Sequence, residues 1–197
     1  MQINYENKEL TQRYQLMAQT IIPRPIAWIV TEQNGVVNIA PFSYFMGLSS
    51  DPATMIVSIG HKSDGSEKDT LKNIRESGKC TICMVDEPLL EKMHFSPKEL
   101  GSEVSESELY EIQTQRVVDG YPPMVSGVPS AFFCDFHQEI ELKGSQTIPL
   151  IVAIKEQYIS DAIISDTQRI AIDYEPVARV GKSYALLGKK IAAPEIC

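Results

Sequence analysis

Tryptophan, histidine and cysteine are scarce in this chain: one, three and four residues in 197. So few cysteines exclude a disulfide-stapled scaffold. Long hydrophobic runs are missing as well, and no stretch nears the roughly 18 apolar residues of a membrane-spanning helix. Met1 to Glu9 carries no apolar core behind a basic start, so no secretion signal is expected. The expected setting is cytoplasmic, with no membrane partner. Positive charge is also in deficit, 18 Lys and Arg against 26 Asp and Glu, a net −8. A pI near 4.9 counts against neutralising nucleic-acid phosphates, so no nucleic-acid partner is expected.

The 43% hydrophobic and 22% charged fractions are those of an ordinary globular core, and 197 residues suit one domain spanning 1–197. No repeat, low-complexity tract or linker divides the chain. The acidity is concentrated: Asp86 to Glu111 holds eight acids and only Lys92 and Lys98. That segment reads as a solvated helical face, or as a docking surface for a basic partner.

Leu10, Tyr14 and Met17 follow helical spacing, and Pro23 with Pro25 stops the helix. Ile26–Thr31 and Val36–Ala40 read as strands joined by Asn34-Gly35, a type I′ hairpin signal. Met55–Ile59 is a third strand, followed by a polar loop, His61–Lys68. Asp69 or Thr70 caps a short helix that Gly78 ends. Cys80–Val85 is apolar throughout and expected to be buried on both faces. Short helices are expected at Pro88–Met93 and Ser105–Gln113, an irregular loop or edge at Tyr121–Pro129, and long strands at Ala131–Leu142 and Ile148–Tyr158. The result is a mainly β fold with helical inserts, an antiparallel barrel.

Neither a Rossmann nor a P-loop glycine pattern is present. The segment from Ser58 to Thr70, with its hydroxyls, cations and helix start, could cradle a phosphate or could be a solvated loop with a capped helix. Cys80, Cys83, Cys134 and His137 are four possible zinc ligands, but residues three apart on a strand face opposite ways, so core cysteines are the better reading and no metal is expected. Three scattered histidines without G-x-S-x-G support no hydrolytic triad. Trp28 could stack on a planar ligand or fill the core, and Arg24 could stand at a barrel rim.

Read together, Pro23-Arg-Pro-Ile-Ala-Trp-Ile29, Gly35-Val-Val-Asn-Ile-Ala-Pro-Phe-Ser-Tyr-Phe45, Ser50-Asp-Pro52, and Lys68-Asp-Thr70 with Asn73-Ile74 resemble the flavin reductase-like family, and in particular its flavoredoxin-type branch. The resemblance is strongest over residues 20–85 and fainter through 123–144 and 179–188. It implies the split antiparallel β-barrel that binds FMN, with the cofactor noncovalently held at the interface of a homodimer.

The resemblance also implies roles. The backbone from Asn38 through Ala40 and Pro41 to Ser43 would meet the isoalloxazine edge. Ser58, His61, Lys68 and Thr70 would receive the phosphate, and Gly60, Arg24 and Trp28 would complete the cofactor-binding set. No side chain is expected to be catalytic, because the flavin carries the chemistry. The implied activity is an oxidoreductase moving hydride or electrons through FMN to a second acceptor, with NAD(P)H as a candidate donor. Where many members carry Gly-Asp-His near the nicotinamide, the counterpart here is Gly144-Ser145-Gln146, which counts against direct NAD(P)H use. A non-enzymatic FMN electron carrier serving a redox protein partner is the alternative, and a flavin-free interaction module a third reading.

Overall fold

The computed structural model describes residues 1–96 and 105–194. Helix α1 (Leu10–Thr20) leads into a short strand β1 (Arg24–Pro25) and the hairpin β2 (Ala27–Gln33) and β3 (Val36–Phe42). Strands β4 (Phe45–Ser50) and β5 (Ala53–Gly60), helix α2 (Asp69–Ser77) and strand β6 (Lys79–Cys83) follow. The acidic segment supplies α3 (Leu90–Phe95) and a single turn, α4 (Glu106–Leu109). The chain then forms β7 (Thr114–Gln115), β8 (Met124–Val125), the long β9 (Ser130–Glu139) and β10 (Thr147–Ile159), and the small pairs β11 (Ile164–Asp166) with β12 (Ala171–Ile172) and β13 (Val177–Val180) with β14 (Ser183–Leu186).

Seven strands make one antiparallel sheet in the order β3-β2-β6-β9-β10-β5-β4. The sheet curls until β3 touches β5, and the fold is the expected split barrel. Alternation sorts the side chains by face. Ala27, Ile29, Ile82, Cys134, Val57, Ile59, Leu150 and Val152 line the inner core, which Leu71 and Ile74 of α2 complete. Trp28, Val30, Ile39, Cys83, Ala131 and Phe133 form a second core on the outer face, closed by Met93, Ile112, Met124 and Val177. Both faces are therefore covered, and Cys80–Cys83 of β6 is wholly buried.

The hairpin turn has the backbone its sequence demands, φ 51° at Asn34 and 80° at Gly35, both positive as type I′ requires. Gly78 ends α2 at φ 71°, its N–H donating to Ile74 O at 2.9 Å. Three features differ from the sequence reading. Strand β4 has no alternating apolar pattern to announce it, because residues 46–50 are all exposed. The N-cap of α2 is Lys68, and Thr70 lies inside the first turn with its hydroxyl turned elsewhere. The apolar stripe of α1 faces outward, and only Ala18 of that helix is buried.

Leu71 is fully buried in the inner core. Leu71→Ala is expected to lower the unfolding free energy by about 2–5 kcal/mol through lost burial and a cavity. A shift of the urea midpoint without a change in slope would check it; a midpoint near wild type would mean that α2 does not complete the core.

Candidate functional site

Two segments 32 residues apart in sequence meet at one point. Asn38 of β3 donates from Nδ2 to Thr70 Oγ1 of α2 at 3.0 Å and to Thr31 Oγ1 of β2 at 3.3 Å. Asn73 Nδ2 donates to the same Thr31 oxygen at 3.0 Å. All four side chains are buried. The amide of Asn38 and the buried hydroxyl of Thr70, which accepts its hydrogen bond, thus brace strand against helix. The backbone around both residues is what they hold in place.

Strand β3 is an edge of the sheet, so every second residue turns its peptide groups away from β2. These are Val37, Ile39 and Pro41, because Gln33 and Val36 close the two-residue turn as a hydrogen-bonded pair and every second residue from Val36 repeats that pairing. The acidic segment occupies the first two: Ser105 Oγ donates to Val37 O at 2.8 Å, and Ile39 N–H donates to Glu106 Oε2 at 3.0 Å. Glu106 is buried. The reading of the segment as a solvated face fails at this residue, although Glu87, Glu91, Glu108 and Glu111 are exposed; residues 97–104 lie outside the described residues. Half-buried Ala40, Pro41 and Ser43 form the uncovered end of the strand.

That end joins the loop before α2. Ser58 N–H donates to Tyr44 O at 2.8 Å, tying the corner after Ser43 to β5. Strand β5 ends at Gly60, where an added Cβ would meet nothing within 4 Å. His61 Nδ1 makes a short contact with Gln146 O, and His61 bridges Glu67 across the loop. Lys62 Nζ lies 2.9 Å from Asp69 Oδ2. Lys68 is half-buried at the N-cap, beside the free N–H groups of the first turn of α2. The Asn38–Thr70 and Ser58–Tyr44 hydrogen bonds thus tie the uncovered end of β3, the rim, to the start of α2 and to β5.

Two expected members stand apart from that rim. Trp28 is fully buried in the outer core, its indole Nε1 donating to Ser96 Oγ at 3.0 Å, so neither ring face is open to a planar ligand. Arg24 is buried under α1, where Nη1 donates to Ala18 O at 2.6 Å and Ile21 O at 2.9 Å. A cation there opposes the negative end of the helix dipole. Its guanidinium also lies 5.6 Å from the centre of the Tyr44 ring.

The cysteines divide between the two cores. Cys83 belongs to the outer one, where burial pushes its thiol up to about 12. Cys80 and Cys134 face each other across β6 and β9 in the inner core; their mutual hydrogen bond, with burial, raises the Cys134 thiol far above its usual range. C-x-x-C thus points to opposite sheet faces. The participation of Glu106 and Ser105 has no sequence signal, since nothing distinguishes one glutamate within an acidic run.

A family model described as "Flavin reductase like domain" matches residues 17–165. A protein of Halalkalibacterium halodurans is 34% identical over 151 residues, covering 76% of this chain and 68% of its own. The crystal structure of nitrilotriacetate monooxygenase component B from Bacillus cereus superposes with TM-score 0.89 at 25% identity, over 98% of this chain and 99% of that one. A split-barrel structure from Shewanella frigidimarina superposes at TM-score 0.81 and 20% identity, covering 100% of both chains.

Burial holds the Glu106 carboxyl above its ordinary range, Asp69 adds to the shift, and the Ile39 N–H and Lys62 oppose it. The folded value exceeds the unfolded one, so the contribution of Glu106 to stability is fully present below the ordinary carboxylate range and is lost as pH rises through its raised value. Asp86 shifts the same way through burial, so the comparison must be with a variant. Glu106→Gln keeps an acceptor for Ile39 N–H and should reduce the loss of stability with rising pH. Denaturant unfolding of both proteins between about pH 4 and pH 8 measures it, and a difference that stays constant across that range would contradict the assignment.

Proposed function

The chain belongs to the flavin reductase-like family, and we propose that it is an FMN-dependent oxidoreductase passing electrons through noncovalently bound FMN to a second acceptor in the cytoplasm. The observation carrying this reading is the Asn38–Thr70 hydrogen bond. It joins the strand segment read as the isoalloxazine edge to the helix start read as the phosphate cradle. The donor set suits a phosphate monoester: an ammonium at Lys68, the first-turn amides of α2, and a Gly60 backbone open to close approach. Bound FMN supplies the electron transfer itself. The chain's tasks are to fix the ring against Ala40–Ser43, whose Pro41 restricts the backbone, and to anchor the phosphate.

Gln146 favours a second reading, a non-enzymatic FMN electron carrier for a protein partner. Its carbonyl is engaged by His61, and the 144–146 loop offers no ionisable side chain to a nicotinamide. Anaerobic mixing of the flavin-loaded protein with NADH or NADPH separates the two: bleaching of the flavin bands supports the enzyme, and no bleaching supports the carrier.

The cofactor assignment predicts that Lys68→Ala weakens FMN binding by about 1.5–3 kcal/mol, one charge-assisted contact, or roughly ten- to hundredfold. Riboflavin, lacking the phosphate, should be nearly unaffected. Titration of the apoprotein with both flavins at fixed ionic strength measures this; an equal loss for both would remove the phosphate role from Lys68.

We also propose a homodimer through the face made by α1 and β4. Leu10, Tyr14, Met17, Ile21 and Ile22 on one side and Met46 and Leu48 on the edge strand are all exposed. The Tyr14 and Tyr44 rings, 6.1 Å apart, link the two parts. An apolar face beside an unprotected edge is a pairing surface. Sedimentation should give twice the 22.0 kDa chain mass, and Leu48→Asp should shift it to monomer; a monomeric wild type at micromolar concentration would refute the dimer.

A further inference from the structure

A second constellation lies outside the rim, where α3 meets the β13–β14 hairpin. His94 Nδ1 and the Tyr184 hydroxyl are 3.0 Å apart, and the two rings meet edge to face at 5.6 Å and 88°. The ring of Phe95, a residue 44% exposed, meets the His94 ring edge to face at 5.5 Å. The Arg179 guanidinium lies 4.7 Å from the centre of the Tyr184 ring. We propose that His94, Phe95, Arg179 and Tyr184 bind a planar aromatic carboxylate, the carboxylate on Arg179 and the ring against Phe95 and His94.

Charge selects the anion. Arg75, Arg116 and Arg169 each meet a carboxylate, as most surface arginines can in a chain of net charge −8. Arg179 meets none among the described residues. Its Nε donates to Gly181 O at 3.1 Å, and neither Nη has a hydrogen-bond partner among the described residues. Exposed Lys182 follows three residues later, and Arg24 sits directly opposite on β1. A guanidinium held by a ring face and one backbone carbonyl presents its remaining N–H groups as a fixed fork, the geometry that a carboxylate accepts.

The rings select the aromatic. An exposed phenyl beside an imidazole gives a second ring both a face and an edge, and aromatic pairs prefer such offset or tilted arrangements. The base is rigid: Met93 is buried, Ser96 Oγ donates to Met93 O at 2.9 Å and accepts from Trp28, and Tyr184 packs against the outer core. Helix α3 touches β3, the strand whose far end forms the rim. The proposed binding does not depend on the flavin reading.

Calorimetric titration of the purified protein with benzoate, benzamide and cyclohexanecarboxylate tests the site. Trp28, the sole tryptophan, is a local reporter through Ser96. Benzoate should saturate and perturb Trp28 emission, with the neutral amide and the non-aromatic acid each at least about tenfold weaker, the scale of one charge-assisted pair. Arg179→Gln should weaken benzoate by a similar factor, and Arg179→Lys by less, with the circular dichroism and FMN uptake of wild type. Equal binding of benzoate and benzamide, absence of saturation, or an unaffected, folded Arg179→Gln would overturn the proposal. FMN uptake measured in parallel keeps the two readings apart: a protein that binds benzoate but no flavin refutes only the cofactor assignment.

Discussion

Thr31, wholly buried in the middle of β2, accepts hydrogen bonds from the amides of both Asn38 and Asn73. Three separate elements are joined through that one oxygen, and Asn38 extends the set to Thr70. Buried polar groups of this kind are costly when one partner is lost, because the rest remain desolvated and unpaired. The network therefore dictates where α2 begins relative to β3, and the candidate rim exists only in that relation. Apolar packing of Leu71 and Ile74 holds the helix on the sheet, but apolar contact has no direction and would tolerate a shift along the strand. The hydrogen bonds remove that freedom.

The two edges of the seven-stranded sheet are treated differently. On β3 the acidic segment supplies Ser105 and Glu106 as side-chain partners for two outward peptide groups, and Pro41 has no N–H to satisfy. What remains open is a short stretch from Ala40 to Ser43. On β4 no such cover is present among the described residues, and the exposed strand carries Met46 and Leu48 beside the apolar side of α1. One edge thus leaves a short stretch open and the other a broad apolar one. Arg24 supports the second arrangement by holding the carbonyl end of α1 over β1 while stacked on Tyr44.

Charge follows the same division of labour. Acids dominate the composition, yet the basic side chains are not spread evenly among them. Lys62 is neutralised by Asp69, and Arg75 is held between Glu67 and Glu139, which stiffens the loop and helix of the rim. Arg179 meets no carboxylate among the described residues, and the Tyr184 ring takes that place. A negatively charged chain that keeps a few cations unneutralised concentrates its attraction for anions at those points.

Local chemistry alone determined much of this protein. The Asn34-Gly35 turn, the stop at Gly78, the two long strands and the apolar β6 follow from backbone preference and from side-chain periodicity, which act within a few residues. The family pattern, carried by Asn38 to Ser43 and by Lys68 to Thr70, was equally legible. Other features required the tertiary structure, because they depend on which strand lies at an edge and on what faces each side chain across space. Trp28 and Arg24 sit in motifs that suggest a rim, yet pleat direction sends the first into a core and the helix end draws in the second. Glu106 is one acid among eight in its segment, and only the pairing of its carboxylate with Ile39 N–H sets it apart. Strand β4 lacks a buried face, so periodicity could not reveal it. The meeting of His94 with Tyr184, 90 residues apart, has no trace in sequence because long-range contact is decided by packing.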